Sequence, residues 1–237
     1  MKAMTKTVFT VGLLALLMVV PAFGAMNKSV SIGAGEESRG ASSINGSITI
    51  GADAVVTGDV STVNGSIRVD SGASIEDAET VNGSVRIDAN VTSENLSTVN
   101  GDVKVGKEST VDGLIEAVNG EIRVDAGSKV ARSISNVNGQ IELSGAQVGG
   151  DVSTVMGSVD IVEGTVVKGD LIVEKPSSRG RSNNRLPRIV IGPGSTIEGV
   201  INIEHDVELF VSTTASVGGV EGVMSMDDAV RFSGKRP

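Results

Sequence analysis

The chain has 237 residues, a formal net charge of −9, and no cysteine, tryptophan or tyrosine. That length suits one substantial domain or two small ones. The acidic balance argues against nucleic acid and bare anionic membrane as general partners. The missing thiols exclude disulfides, thiolate chemistry and cysteine-linked lipid.

The first segment reads as a secretory signal peptide over residues 1–24. Lys2 and Lys6 precede the apolar run from Val8 to Val20, and Pro21 leads into the small residues around Ala22 and Gly24. Cleavage after Gly24 places Ala22 three residues back. The run is shorter than the ~20 apolar residues that cross a bilayer. Export to the periplasm or cell surface is therefore expected, with no membrane span in the mature chain. Loss of Lys2 and Lys6 with the leader takes the net charge from −9 to −11.

Residues 25–42 read as a lead-in or cap with early strand character. From residue 43 a repeat takes over. Asn-Gly pairs begin at Asn45, Asn64, Asn82, Asn100, Asn119 and Asn138, at intervals of 18 or 19 residues, and Met156-Gly157 continues the series with the asparagine lost. Around each pair the pattern is V-N-G-x-[IV]-x-[VI]. An apolar spacing of two with β-branched residues excludes helical repeats. Asn-Gly is at home in a hairpin turn, so an antiparallel meander is conceivable. It would need two turns per unit and has no reason to hold one register for seven units.

A single-stranded parallel β-helix, or β-solenoid, explains more; its handedness is left open. One coil makes about three short strands and three corners, and stacks on the next at about 4.8 Å, so equivalent residues lie on one another. Asn-Gly is then a corner that asks for positive φ, and the six asparagines are expected to bond along the axis as a ladder. Alternation turns Ile67, Val69, Val85, Ile87, Ile122 and Val124 inward. The same alternation turns Thr49, Arg68, Arg86, Lys104, Arg123, Glu142 and Asp160 outward in one column, with Asp70, Asp88 and Asp125 beside it. Arg68, Arg86, Lys104 and Arg123 are a candidate contact stripe for an anionic partner, although a solvated charged face that discourages aggregation is the reading expected first.

The solenoid is expected to run over 43–223, broken by an ejected basic loop at 175–188. That loop carries Lys175, Arg179, Arg181, Arg185 and Arg188 and no negative charge, as a local contact site or a surface insertion. Coils resume at "RIVIGPGSTIEGVINI". Residues 224–237 read as a tail or cap with Phe232 over the last coil. The other phenylalanines are Phe9, Phe23 and Phe210, so the core must be aliphatic and little is left to stack on sugars or bases.

The stretch "VTGDVSTVNGSIRVDSGASIEDAETVNGSVRI" resembles the bacterial adhesin β-solenoid family with T-V-N-G repeats. "RIVIGPGSTIEGVINI" is similar to the bactofilins, polymer-forming cytoskeletal proteins, although those are cytosolic. Together the resemblances cover about residues 43–223. They imply a solenoid, a structural or adhesin-like envelope role, and homo-oligomers by coil-end or lateral stacking. They imply no catalytic residue.

Signals for chemistry are sparse. His205 is the sole histidine, and it is the one available base for a hexapeptide-type acyltransferase, to which the Ile-Gly rhythm is also similar. A carbohydrate-active β-helix enzyme would need clustered aspartates and aromatic subsites. "IEDAE" at Ile75–Glu79 lacks the nonapeptide of calcium-binding β-rolls. No catalytic site, metal or cofactor is expected.

Overall fold

The structure is a computed structural model that describes residues 26–176 and 186–237. The signal peptide reading, and Arg179, Arg181 and Arg185 of the basic loop, lie outside the described residues.

The chain is a parallel β-solenoid of about ten turns. One representative coil holds β9 (Val85–Ile87), β10 (Thr92–Ser93) and β11 (Leu96–Asn100), one strand on each of three walls. The first wall is an 11-stranded sheet from β1 (Val30–Ile32) to β30 (Val230–Phe232). The second has ten strands, from β3 (Ala41–Asn45) to β29 (Val220–Gly222). The third wall is made of two-residue strands, and single bridges through Ser74 join its two parts. All pairings are parallel and join equivalent positions, so Val103 lies between Val85 and Ile122.

Identity between repeats follows from this stacking. Ile48, Ile67, Val85, Val103, Ile122 and Ile141 form one inward column, each fully buried. The expected alternation holds: Arg68 and Arg86 point to solvent between buried aliphatic neighbours. Val30–Ile32 pairs with Ile48–Ile50 as a true coil strand. At the other end Phe232 pairs beside Ser212, and Met224, Met226 and Ala229 pack against the core.

The Asn-Gly corner is tight for a different reason from the expected one. Of the six corner glycines only Gly139, at 128°, is clearly at positive φ; Gly101 and Gly120, at 158° and 155°, are close to extended, and Gly46, Gly65 and Gly83 lie outside the positive range. A Cβ on Gly65, Gly83, Gly101 or Gly120 would instead overlap the carbonyl oxygen of the equivalent glycine one coil earlier. Glycine is required there because coils approach backbone to backbone. Left-handed geometry belongs to the corner between the first and third walls, at Asp53, Gly72, Asn90, Glu108 and Gly127, with φ between 55° and 78°. Gly, Asn and Asp suit that region because it crowds Cβ.

Candidate functional surface

Each residue of T-V-N-G has its own task. Thr62, Thr80 and Thr98 point inward, and each hydroxyl donates to the carbonyl of Gly46, Gly65 or Gly83 at 2.8–2.9 Å. Asn136 does the same for Gly120 through Nδ2, at 2.8 Å. The valine points outward. Ile44, Val63, Val81, Val99, Val118, Val137 and Val155 make a half-buried aliphatic column up one edge of the second wall.

The asparagines stand beside that column as a ladder. Asn64 Nδ2 donates to Asn45 Oδ1 at 2.8 Å, Asn82 to Asn64 at 2.9 Å, and Asn100, Asn119 and Asn138 each to the rung before at 3.0 Å. Asn27 adds a rung that the sequence reading missed, accepting from Asn45 at 2.6 Å. No glycine follows Asn27, and its only signal was the 18-residue interval to Asn45. Each Nδ2 faces the earlier coil and each Oδ1 the later one, so the ladder has a direction.

On the first wall the cationic column is partly self-neutralised. Arg68 bonds Asp70 at 2.9 Å and also Asp88; Arg123 bonds Asp125 at 2.9 Å and Glu142 at 3.0 Å. Arg86 and Lys104 make no ion pair among the described residues. The column turns acidic at Glu142 and Asp160 and apolar at Val190 and Phe210, whose register positions coincide.

Where the basic loop leaves the coil, Lys175 donates its backbone N–H to Glu204 Oε2 at 3.1 Å. Arg188 lies over the Phe210 ring at 4.9 Å, a cation–π contact. An open depression of about 400 Å³ lies alongside, lined by Gln140, Met156, Asp160, Leu186, Arg188 and Glu208. Burial pushes the Asp160 carboxyl above its ordinary value, and Arg188 opposes that shift. On the second wall burial also raises the carboxyls of Glu79 and Glu116, and Asp77 and Asp59 add to the effect at Glu79.

His205 is half-buried at a strand end. Its Nε2 lies 2.9 Å from the Val155 carbonyl oxygen and its Nδ1 lies 3.2 Å from that of Asp206. Both ring nitrogens thus face main-chain acceptors. Among the described residues no three His, Asp or Glu side chains are grouped to hold a metal ion, and no helix is long and apolar enough to cross a membrane.

The fold and surface define the class: a β-solenoid repeat protein with ordered columns of like side chains. Comparisons with family models, with curated proteins and with solved structures each return no match.

Proposed function

We propose that this chain is an exported, non-catalytic β-solenoid with a structural or adhesin-like role in the bacterial cell envelope, acting through its side. The supporting observation is the paired column on the second wall. Seven aliphatic side chains from Ile44 to Val155 stand in line beside the asparagine ladder. Their spacing of about 4.8 Å is fixed by the backbone, so the surface is already ordered before any partner arrives. Little side-chain entropy is lost when such a surface is covered, because β-branched residues are stiff and the amides already bond one another.

The test is co-sedimentation of the purified full chain with isolated bacterial envelopes, against a Val81→Thr, Val99→Thr, Val118→Thr variant. Threonine keeps the shape and strand preference of valine but replaces a methyl by a hydroxyl. Retention of the parent chain and loss in the variant, at unchanged melting temperature, is the expected result. Equal retention of both would remove the lateral column from the account.

The second reading is end-on polymerisation, as the likeness to bactofilins implies. It is favoured by one observation: among the described residues β30, β29 and β28 (Ser216–Val217) each pair on one side only. Open strand edges add further strands. Filaments that lengthen with concentration would support it.

A further inference from the structure

The asparagine ladder holds six Asn-Gly pairs, and its geometry treats them unequally. Four glycines, Gly65, Gly83, Gly101 and Gly120, donate their N–H to the carbonyl of the next coil's asparagine at 3.0–3.1 Å. Of these four, each preceding asparagine also has both ends of its carboxamide held. Its Nδ2 donates to the rung below, and its Oδ1 accepts from the rung above. The two end pairs differ. Neither the Gly46 nor the Gly139 N–H has an acceptor among the described residues. Asn45 still has both ends of its amide engaged, with Asn27 and Asn64. Asn138 does not. Met156 occupies the next rung, so among the described residues Asn138 Oδ1 accepts nothing, and only its Nδ2 is held, by Asn119 at 3.0 Å. Gly139 is exposed as well.

We propose that Asn138-Gly139 is a site of spontaneous covalent modification, namely deamidation to aspartate and isoaspartate. The Gly139 backbone nitrogen attacks Cγ of Asn138. A new Cγ–N bond forms as the Cγ–Nδ2 bond breaks, and ammonia leaves with the proton from the glycine N–H. Solvent water then opens the cyclic imide at either carbonyl. Opening at the side-chain carbonyl restores a normal backbone with aspartate. Opening at the main-chain carbonyl gives isoaspartate, with one extra methylene in the corner. The reaction is intramolecular, so its rate follows how often nitrogen and carbon reach an attack geometry. At the interior rungs that requires breaking the glycine N–H bond and both amide bonds together; at Asn138 one amide bond stands in the way.

Both products lose the Nδ2 donor that now bonds Asn119 Oδ1, and the aspartate product puts a carboxylate oxygen in its place. In aspartate two acceptors face each other, in isoaspartate Cγ has moved into the main chain, and either way the upper end of the ladder opens. The lesion falls on the last asparagine rung, one coil before Met156 breaks the series.

The test is peptide mapping by mass spectrometry of the purified full chain held in mildly alkaline buffer at physiological temperature. Amide-to-acid conversion is expected first at Asn138, next at Asn45, and last at Asn64, Asn82, Asn100 and Asn119. Two hydrogen bonds fewer should make Asn138 faster than the interior rungs by on the order of tenfold or more. In urea the six pairs, all followed by glycine, should react at similar rates. Met156→Asn supplies the missing rung and should slow Asn138 in the folded chain. Interior rungs reacting as fast as Asn138 in the folded state, or a rate at Asn138 that Met156→Asn leaves unchanged, would overturn the proposal.

Discussion

Substituting Gly83 by alanine separates a stacked corner from a hairpin turn. The new Cβ would overlap the Gly65 carbonyl oxygen, a backbone atom with no rotamer to escape into. That carbonyl accepts the Thr80 hydroxyl at 2.9 Å, and Thr80 is fully buried. Gly83 in turn donates to the Asn100 carbonyl at 3.0 Å. Overpacking typically costs about 1–3 kcal/mol, and stranding a buried hydroxyl a further ~1–3 kcal/mol. A loss of about 3–5 kcal/mol is expected, which lowers the melting temperature by roughly 10 °C at this chain length. Gly219 is the control, because a Cβ there meets only Val200 Cγ1 at 3.7 Å, an ordinary contact. Gly219→Ala should be neutral or stabilise by about 0.4–1 kcal/mol through the unfolded chain. Thermal and urea unfolding followed by far-ultraviolet circular dichroism measures both. If Gly83→Ala proves as stable as the parent chain, close backbone stacking is not what selects glycine at this corner.

The remaining predictions concern single positions and pH. Ala117 occupies the place of Thr62, Thr80 and Thr98 and has no hydroxyl to offer the Gly101 carbonyl, so Ala117→Thr should stabilise by about 0.5–1.5 kcal/mol in urea titrations. The carboxyls of Glu79, Glu116, Glu121, Asp160 and Glu174 are pushed above their ordinary values of 4.5 and 3.8, each first by burial. A folded state with raised values binds protons more readily than the unfolded chain. Stability should therefore increase as pH falls from neutral through those raised values, and stop increasing below the ordinary ones. Asp228, lowered by its bonds from Ser225, contributes oppositely and only below 3.8. Melting temperatures recorded from neutral to mildly acidic pH should rise, with a smaller rise in Glu116→Gln; a steady fall over that range would refute the assignment.

Much of the fold was legible in the sequence because stacking ties the period directly to the backbone. Intervals of 18 or 19 residues, with apolar residues at every second place, allow few other architectures. The corner was read only in part: positive φ holds at Gly139, but the constraint on Gly83 comes from Gly65, 18 residues away, which a local turn preference does not report. The left-handed corner was half visible in Gly72, Asn90 and Gly127, but nothing local marks Glu108. Arg68 and Arg123 could be placed on the outer face, yet their second partners, Asp88 and Glu142, lie one coil on and emerge only from the register. Asn27 escaped because it lacks the glycine that flags the other rungs.

Electron microscopy of the purified full chain, over a wide range of concentration, tests action through the side of the solenoid most directly. The 11-stranded wall implies a rod of about 48 Å, at about 4.8 Å for each step between strands. Discrete rods of that length are expected at every concentration, with any association side by side and lost in the Val81→Thr, Val99→Thr, Val118→Thr variant. Filaments that grow end to end and ignore those substitutions would contradict it.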